Sequence, residues 1–320
     1  MNWGYKPPSW LLGGHLQTIY PAIIASKIYP KQNWQRQRVL TDDKDFIDLD
    51  WSKNARQKAI LCVLFHGLEG NSSSHYSVAF SCHMQSVGIG ICIPHFRGCS
   101  GELNLGPRAY HSGDFEEIDW ILRKIKEQFK GEIWAVGVSL GGNALLRWAQ
   151  EKGESASIMV KGVASICAPL DLSQSGRKIG LGMNHYLYEK RFLRTMKHKA
   201  REKIKQYPGL FNYKNVEKSQ SLYDFDNNFT APLHGFKNTD EYWLTCSAKQ
   251  HLKRIKVAHL VLNAFNDPFI PPESLPKKED FNNLGIQLNT KYGGHVGFAY
   301  SPFAGNLNAL PTLITSWMKS

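Results

Sequence analysis

The chain has 320 residues, 42% of them hydrophobic and 21% charged, with a formal net charge of +12 at neutral pH. That length suits one α/β domain enlarged by insertions, and the composition excludes a disordered chain and a fibrous repeat. The positive charge raises nucleic acid as a partner, but residues 173 to 218 hold twelve Lys or Arg against three Glu, nine of the twelve net charges, with no helix-turn-helix, zinc-finger or RNP pattern among them, so no nucleic acid is expected.

The first thirty residues, MNWGYKPPSWLLGGHLQTIYPAIIASKIYP, have no charged leader region, and their longest apolar run is broken by Pro21 and ends at Lys27. That is far short of the ~20 residues of a membrane span. The six cysteines (62, 82, 92, 99, 167 and 246) are scattered without C-x-x-C pairs, which fits free thiols in a reducing compartment. Together these features predict a cytoplasmic protein that no helix anchors.

AILCVLFHG (59 to 67) is the first buried strand, near-continuously apolar and rich in branched residues. It ends in His66-Gly67, where the backbone N–H of Leu68 is placed to face a site, with His66 holding the loop. GIGICIPHF (88 to 96) is a second such strand; it lacks the third glycine of a dinucleotide fingerprint. No G-x4-G-K-[ST] or H-E-x-x-H occurs in the chain, so neither nucleotide nor zinc chemistry is expected. In HFRGCSGE, Arg97, Gly98 and Cys99 read as loop-structuring residues. Tyr110, His111 and Asp114 order the next element, a helix over 114 to 129 with Phe115, Ile118, Ile121, Leu122 and Ile125 on one stripe and acidic residues in its first turn.

EIWAVGV (132 to 138) is a strand that runs into GVSLGGNALLRWA, a helical stretch. A G-x-S-x-G pattern with a strand before it and a helix after it is a nucleophile elbow: the serine occupies a strained turn, and only glycine fits the flanking positions. Ser139 is therefore the candidate nucleophile, and the N–H of Leu140, directly after it, pairs with that of Leu68 as the expected oxyanion donors. KGVASICAPL (161 to 170) is the next strand and carries Asp171 just beyond its end.

From about 173 to 250 no buried strand is evident, while Leu193, Met196, Ala200 and Ile204 keep helical spacing. This basic block is expected to be a helical cap inserted over the carboxyl ends of the strands. Its apolar side chains Tyr186, Leu187, Phe192 and Phe211 suggest a short to medium acyl chain beneath it, and its charge suggests peripheral contact with anionic membrane. AHLVLNAF (258 to 265) resumes the sheet and delivers Asp267, and QLNTKYGGHVGF places His295 just after another strand-like run. A serine hydroxyl needs a base and an orienting acid, in the chain order Ser, Asp, His for a mostly parallel sheet of this kind. Ser139, Asp267 and His295 fit that order, with Asp171 as the alternative acid.

On GHLQTIYP (14 to 21), HGLEGNSSSHY (66 to 76), HFRGCSGELN (95 to 104), GVSLGGN (137 to 143), TAPLHGF (230 to 236), NDPFIP (266 to 271) and GGHVGF (293 to 298), the chain resembles family 4 of the AB hydrolase superfamily. That group contains the bacterial YheT-type hydrolases, the eukaryotic membrane-anchored abhydrolase-domain lipases and the yeast ethanol acyltransferases/esterases. The resemblance implies one α/β-hydrolase domain over 1–320 with a cap at about 173–250, and a mostly parallel sheet flanked by helices. It also implies a triad at Ser139, Asp267 and His295, no metal and no organic cofactor.

The implied reaction is hydrolysis of small-molecule acyl esters, short- to medium-chain or lipid-derived, through an acyl-enzyme. Acyl transfer to an alcohol and lipid-surface binding with a vestigial site are the alternatives, and oligomeric state is left open. Two departures stand out: Asn266 occupies a position where the family often has a second acid, and the anchor of the eukaryotic members is missing.

Overall fold

The computed structural model describes residues 3–300, 303 and 305–320. Helix α1 (Gly13–Ile23) is followed by a hairpin, β1 (Gln35–Leu40) and β2 (Phe46–Trp51), that apolar runs alone did not reveal. In β1 arginine alternates with glutamine, and in β2 two aspartates stand among apolar residues. Arg36 lies opposite Asp50 and Arg38 opposite Asp48 in the antiparallel register, and each pair is bidentate at 2.8 to 2.9 Å. The aspartates are thus buried with their charges met, and the hairpin tolerates carboxylates inside the sheet.

The apolar runs form β3 (Ile60–Phe65), β4 (Gly90–Pro94), β5 (Glu132–Val138), β6 (Gly162–Ile166) and β7 (Ala258–Ala264), and β8 (Gly285–Thr290) completes one edge. The sheet has eight strands in the order β1-β2-β4-β3-β5-β6-β7-β8, parallel from β4 to β8 and antiparallel at the hairpin edge. Helix α2 (His75–Ser86) leads to β4 on one side of β3, while α3 (Phe115–Gln128) leads to β5 on the other. Connections leaving in opposite directions open a crevice beyond the carboxyl ends of β3 and β5.

The two-residue period divides the core. Leu61, Val63 and Phe65 of β3 face Ile118, Ile121 and Leu122 of α3 and Leu145 and Trp148 of α4 (Leu140–Lys152). Cys62 and Leu64 face Phe80 and Met84 of α2 and Leu313, Ile314 and Trp317 of α12 (Ala309–Met318). Asp114 caps α3 by accepting the Glu117 N–H. Five of the six cysteines are buried and all are free.

After the short α5 (Ala156–Met159) and β6, the chain leaves the sheet until β7. This excursion comprises α6 (Leu172–Ile179), α7 (Lys190–Gln206), α8 (Tyr213–Lys218), α9 (Leu222–Phe225), α10 (Ala231–Leu233) and α11 (Thr239–Cys246), with π-helical turns at His185–Glu189 and Asp226–Thr230. Helix α7 buries Leu193 and Ala200 and turns most of its Lys and Arg outward. Lys203 is buried instead: its Nζ donates to Asn104 O and Gly106 O, and Asn104 in turn donates to Asp45. Asp45 belongs with Asp43 and Glu117 to the carboxylates around buried Arg97 at 2.6 to 2.8 Å, so Arg97 ties α3, the hairpin and the excursion together. Among the described residues no helix is long and apolar enough to cross a membrane.

Candidate active site

Strand β5 ends at Val138, and α4 begins at Leu140, so one residue makes the whole turn. That residue, Ser139, has φ 52° and ψ −121°, a conformation that costs a non-glycine residue about 1–3 kcal/mol. The surroundings hold it there: its N–H donates to Ile166 O at 2.9 Å. A Cβ on Gly137 would press on Gly141 and Gly142, and one on Gly141 would press on the carbonyls of Phe65 and His66. The glycines are required by helix α4 passing close to β3 and β5.

Two loops from distant strand ends converge on this serine. Asp267 follows β7, is 4% exposed, and accepts from Phe269 N–H at 2.8 Å through Oδ1. Its Oδ2 lies 2.8 Å from His295 Nδ1, and His295 Nε2 lies 2.9 Å from Ser139 Oγ. With Nδ1–H donating to the carboxylate, Nε2 is left as the acceptor for the serine proton. The Phe269 ring packs against the imidazole at 4.2 Å between centroids. Asp171, the alternative acid, instead caps α6 by accepting the Gln174 N–H at 3.0 Å.

On the other side of the serine stands the loop after β3. A Cβ added to Gly67 would lie 3.1 Å from Ser139 Cβ and 3.7 Å from its Oγ, so Leu68 begins beside the serine hydroxyl. Neither the Leu68 N–H nor the Leu140 N–H has a hydrogen-bond partner among the described residues. His66 holds the loop: Nδ1–H donates to Gly67 O at 2.8 Å and Nε2 accepts from Phe96 N–H at 3.1 Å. Burial lowers its pKa to about 3, so it stays neutral. Tyr76 accepts from the Gly67 N–H, Tyr110 bonds to both the Glu69 N–H and carboxylate, and Lys199 of α7 donates to Glu69 Oε1 at 2.7 Å.

Several positioning residues were not legible as such. Gln17 Oε1 accepts from the Gly293 N–H and from Asn266 Nδ2, both at 2.9 Å, while Thr18 Oγ1 accepts from the His295 N–H at 2.8 Å. Asn266 Oδ1 accepts from the Gly294 N–H at 3.0 Å. The asparagine that departs from the family's second acid therefore donates and accepts at once, clamping α1 to the His295 loop. His75 donates through Nε2 to Val296 O at 3.1 Å. Gln17 and Thr18 lie in GHLQTIYP and His75 in HGLEGNSSSHY, but these three positions themselves had no assigned task.

A cavity of about 740 Å³ rises from Ser139 between the sheet and the excursion. Leu187 and Phe192 line it, as expected. Tyr186 and Phe211 do not: Tyr186 is 69% exposed, and Phe211 packs edge-on against Phe229. The π-helical turn around residue 186 rotates that ring outward, a feature helical spacing in the sequence does not register. The Cys99 thiol, 3.4 Å from Lys199 Nζ, is pushed by burial up to about 11.

Residues 61–302 match the family model described as alpha/beta hydrolase fold. The chain is 34% identical to "Putative esterase YheT" of Escherichia coli (strain K12), over 95% of this chain and 89% of that protein. It is 26% identical to phospholipase ABHD3 of Homo sapiens, over 92% of this chain and 73% of that protein. Among solved structures, Est1E of Butyrivibrio proteoclasticus with bound ferulic acid shares the fold with a TM-score of 0.57 at 14% identity, covering 88% of this chain and 98% of that one.

Proposed function

The chain belongs to the α/β-hydrolase family, on its YheT-type side, and on that premise we propose that it is a serine hydrolase of carboxylic esters acting through an acyl-enzyme on Ser139. The observation that carries this reading is the unbroken hydrogen-bonded line Asp267–His295–Ser139 at the floor of a cavity. Ser139 Oγ attacks the ester carbonyl while its proton passes to His295 Nε2, and Asp267 stabilises the resulting imidazolium. The Leu68 and Leu140 N–H groups receive the developing oxyanion. Collapse expels the alcohol, which takes the proton from His295. Water, activated by the same base, then releases the acid.

The names of the relatives, an esterase and a phospholipase, support an acyl ester as substrate. The cavity volume lies within the range of small-molecule sites, which supports a short to medium or lipid-derived acyl group. We assign the helical excursion the role of a cap that walls the cavity over the acyl group. Contact with anionic lipid is supported by the exposed Leu16 and Ile23 of α1 and by the exposed Leu187 and Arg191 of the excursion, of which Ile23, Leu187 and Arg191 line the cavity.

A fluorophosphonate probe is expected to label the wild type and to spare Ser139→Ala. A folded wild type that resists labelling would remove the enzyme reading. Adding ethanol to the ester assay separates hydrolysis from acyl transfer, since ethyl ester accumulates only if alcohol outcompetes water. Co-sedimentation with anionic and neutral vesicles tests docking, and binding indifferent to lipid charge and salt would exclude it.

A further inference from the structure

The wall of the cavity is not apolar throughout. Phe225 and Phe229 line it together with residues of α6 and α11, and with them Asp226, in the π-helical turn. Its carboxylate accepts from Thr230 Oγ1 at 2.6 Å and from Trp243 Nε1 at 2.8 Å. No Lys, Arg or His forms an ion pair with it among the described residues. Burial raises its pKa to about 6, with both hydrogen bonds opposing the rise, so at neutral pH it is mostly an anion without a counter-charge.

Helix α6 contributes Ser175 and Gly176 to the same wall, with the Ser175 Oγ buried beneath its surface. Gly176, the next residue, has no room for a Cβ because the Trp243 ring stands 2.5 to 3.0 Å from where it would be. The indole of Trp243 therefore touches α6 and donates to Asp226, so that Asp226 is held in the wall by Thr230 and Trp243. A carboxylate with no counter-charge in a largely apolar wall is costly unless a ligand donates to its remaining lone pairs, and an alkyl terminus does not.

We propose that this wall is a recognition site for a hydrogen-bond-donating group, hydroxyl or ammonium, at the distal end of the acyl chain, with Asp226 as the specificity-determining acceptor. The proposal rests on Ser139 forming the acyl-enzyme.

The test compares p-nitrophenyl esters of matched chain length that end in methyl, hydroxyl, ammonium or carboxylate. At the best length the hydroxyl or ammonium ester should exceed the methyl ester about tenfold or more in kcat/KM, with the carboxylate ester poorest. In Asp226→Asn the ammonium-to-methyl ratio should fall to about one. A hydroxyl preference that survives in this variant, whose amide still accepts, identifies the hydroxyl as the group read. Asp226→Leu should abolish both preferences. A merely structural Asp226 would lower Tm in both variants and leave the ratios where they were.

Wild-type turnover without preference, or ratios unmoved by Asp226→Leu, overturns the proposal while leaving the Ser139 reading intact. Calorimetry on Ser139→Ala with ω-hydroxy and unsubstituted carboxylic acids reads recognition even if no ester is turned over. Equal affinities there overturn the proposal independently of catalysis.

Discussion

Thr18→Val asks whether the first helix is a working part of the site. Thr18 is 8% exposed, and its Oγ1 accepts from the His295 N–H at 2.8 Å and donates to Gly14 O at 2.7 Å. Valine keeps the shape and removes both bonds. The Gly14 carbonyl retains its bond within α1, so the cost falls on the orphaned N–H of His295, about 1–3 kcal/mol. A chain of this size should then lose about 2–6 °C of Tm.

The kinetic effect should be larger than the thermal one. A displacement of the imidazole by a fraction of an ångström lengthens its bond to Ser139, so kcat should fall about 10- to 100-fold with KM little changed. Thr18→Ser, which keeps the hydroxyl, should recover most of kcat. In a His295→Ala background, Thr18→Val should cost nothing further in kcat, because the group it positions is gone. Steady-state kinetics and a melting curve on the wild type and these four variants suffice. A Thr18→Val enzyme with wild-type kcat and a lowered Tm, or additive losses in the double mutant, would refute the reasoning.

Asp267→Asn preserves shape but favours the wrong imidazole tautomer, so kcat should drop about 10³- to 10⁴-fold in a protein whose circular dichroism is unchanged. A loss under tenfold would point to a different acid. Arg97→Met removes the cation shared by Asp43, Asp45 and Glu117; urea unfolding should show a loss of about 3–5 kcal/mol, and a neutral result would mean that solvent reaches the cluster. Burial lowers the pKa values of His66, His111 and His234 to about 3 and that of His75 to about 4. The unfolded chain protonates these groups near pH 6.5 and the folded chain does not, so their contribution is present above pH 6.5 and is lost as pH falls toward 3. At pH 5.5 each costs about 1.4 kcal/mol, and unfolding should take up roughly three to four protons. Calorimetric proton uptake below about one would contradict the neutral buried state.

The order Ser139, Asp267, His295 could be read because each residue sits where a locally recognisable strand ends, and the Gly137 and Gly141 requirement is written into five consecutive positions. The helix over 115–128 carries its cap and apolar stripe in its own sequence, and the strands β3 to β7 are apolar because both faces are covered. These are short-range signals, and composition and spacing suffice for them.

Other features are set by partners far away in the chain. Asp48 and Asp50 look unlike core residues until Arg36 and Arg38 stand opposite them. Gln17, Thr18 and Asn266 acquire a task only when α1 is folded against a loop nearly 280 residues away. Tyr186 and Phe211 have the chemistry of a cavity wall but point elsewhere, because the backbone turn and the neighbouring ring decide the direction of a side chain. The sequence by itself determined the fold and the reacting triad's candidates, since both follow from local periodicity and chain order. Only the tertiary structure decided what holds His295 in line and which side chains, Asp226 among them, wall the cavity above Ser139, because both depend on side chains brought together by packing.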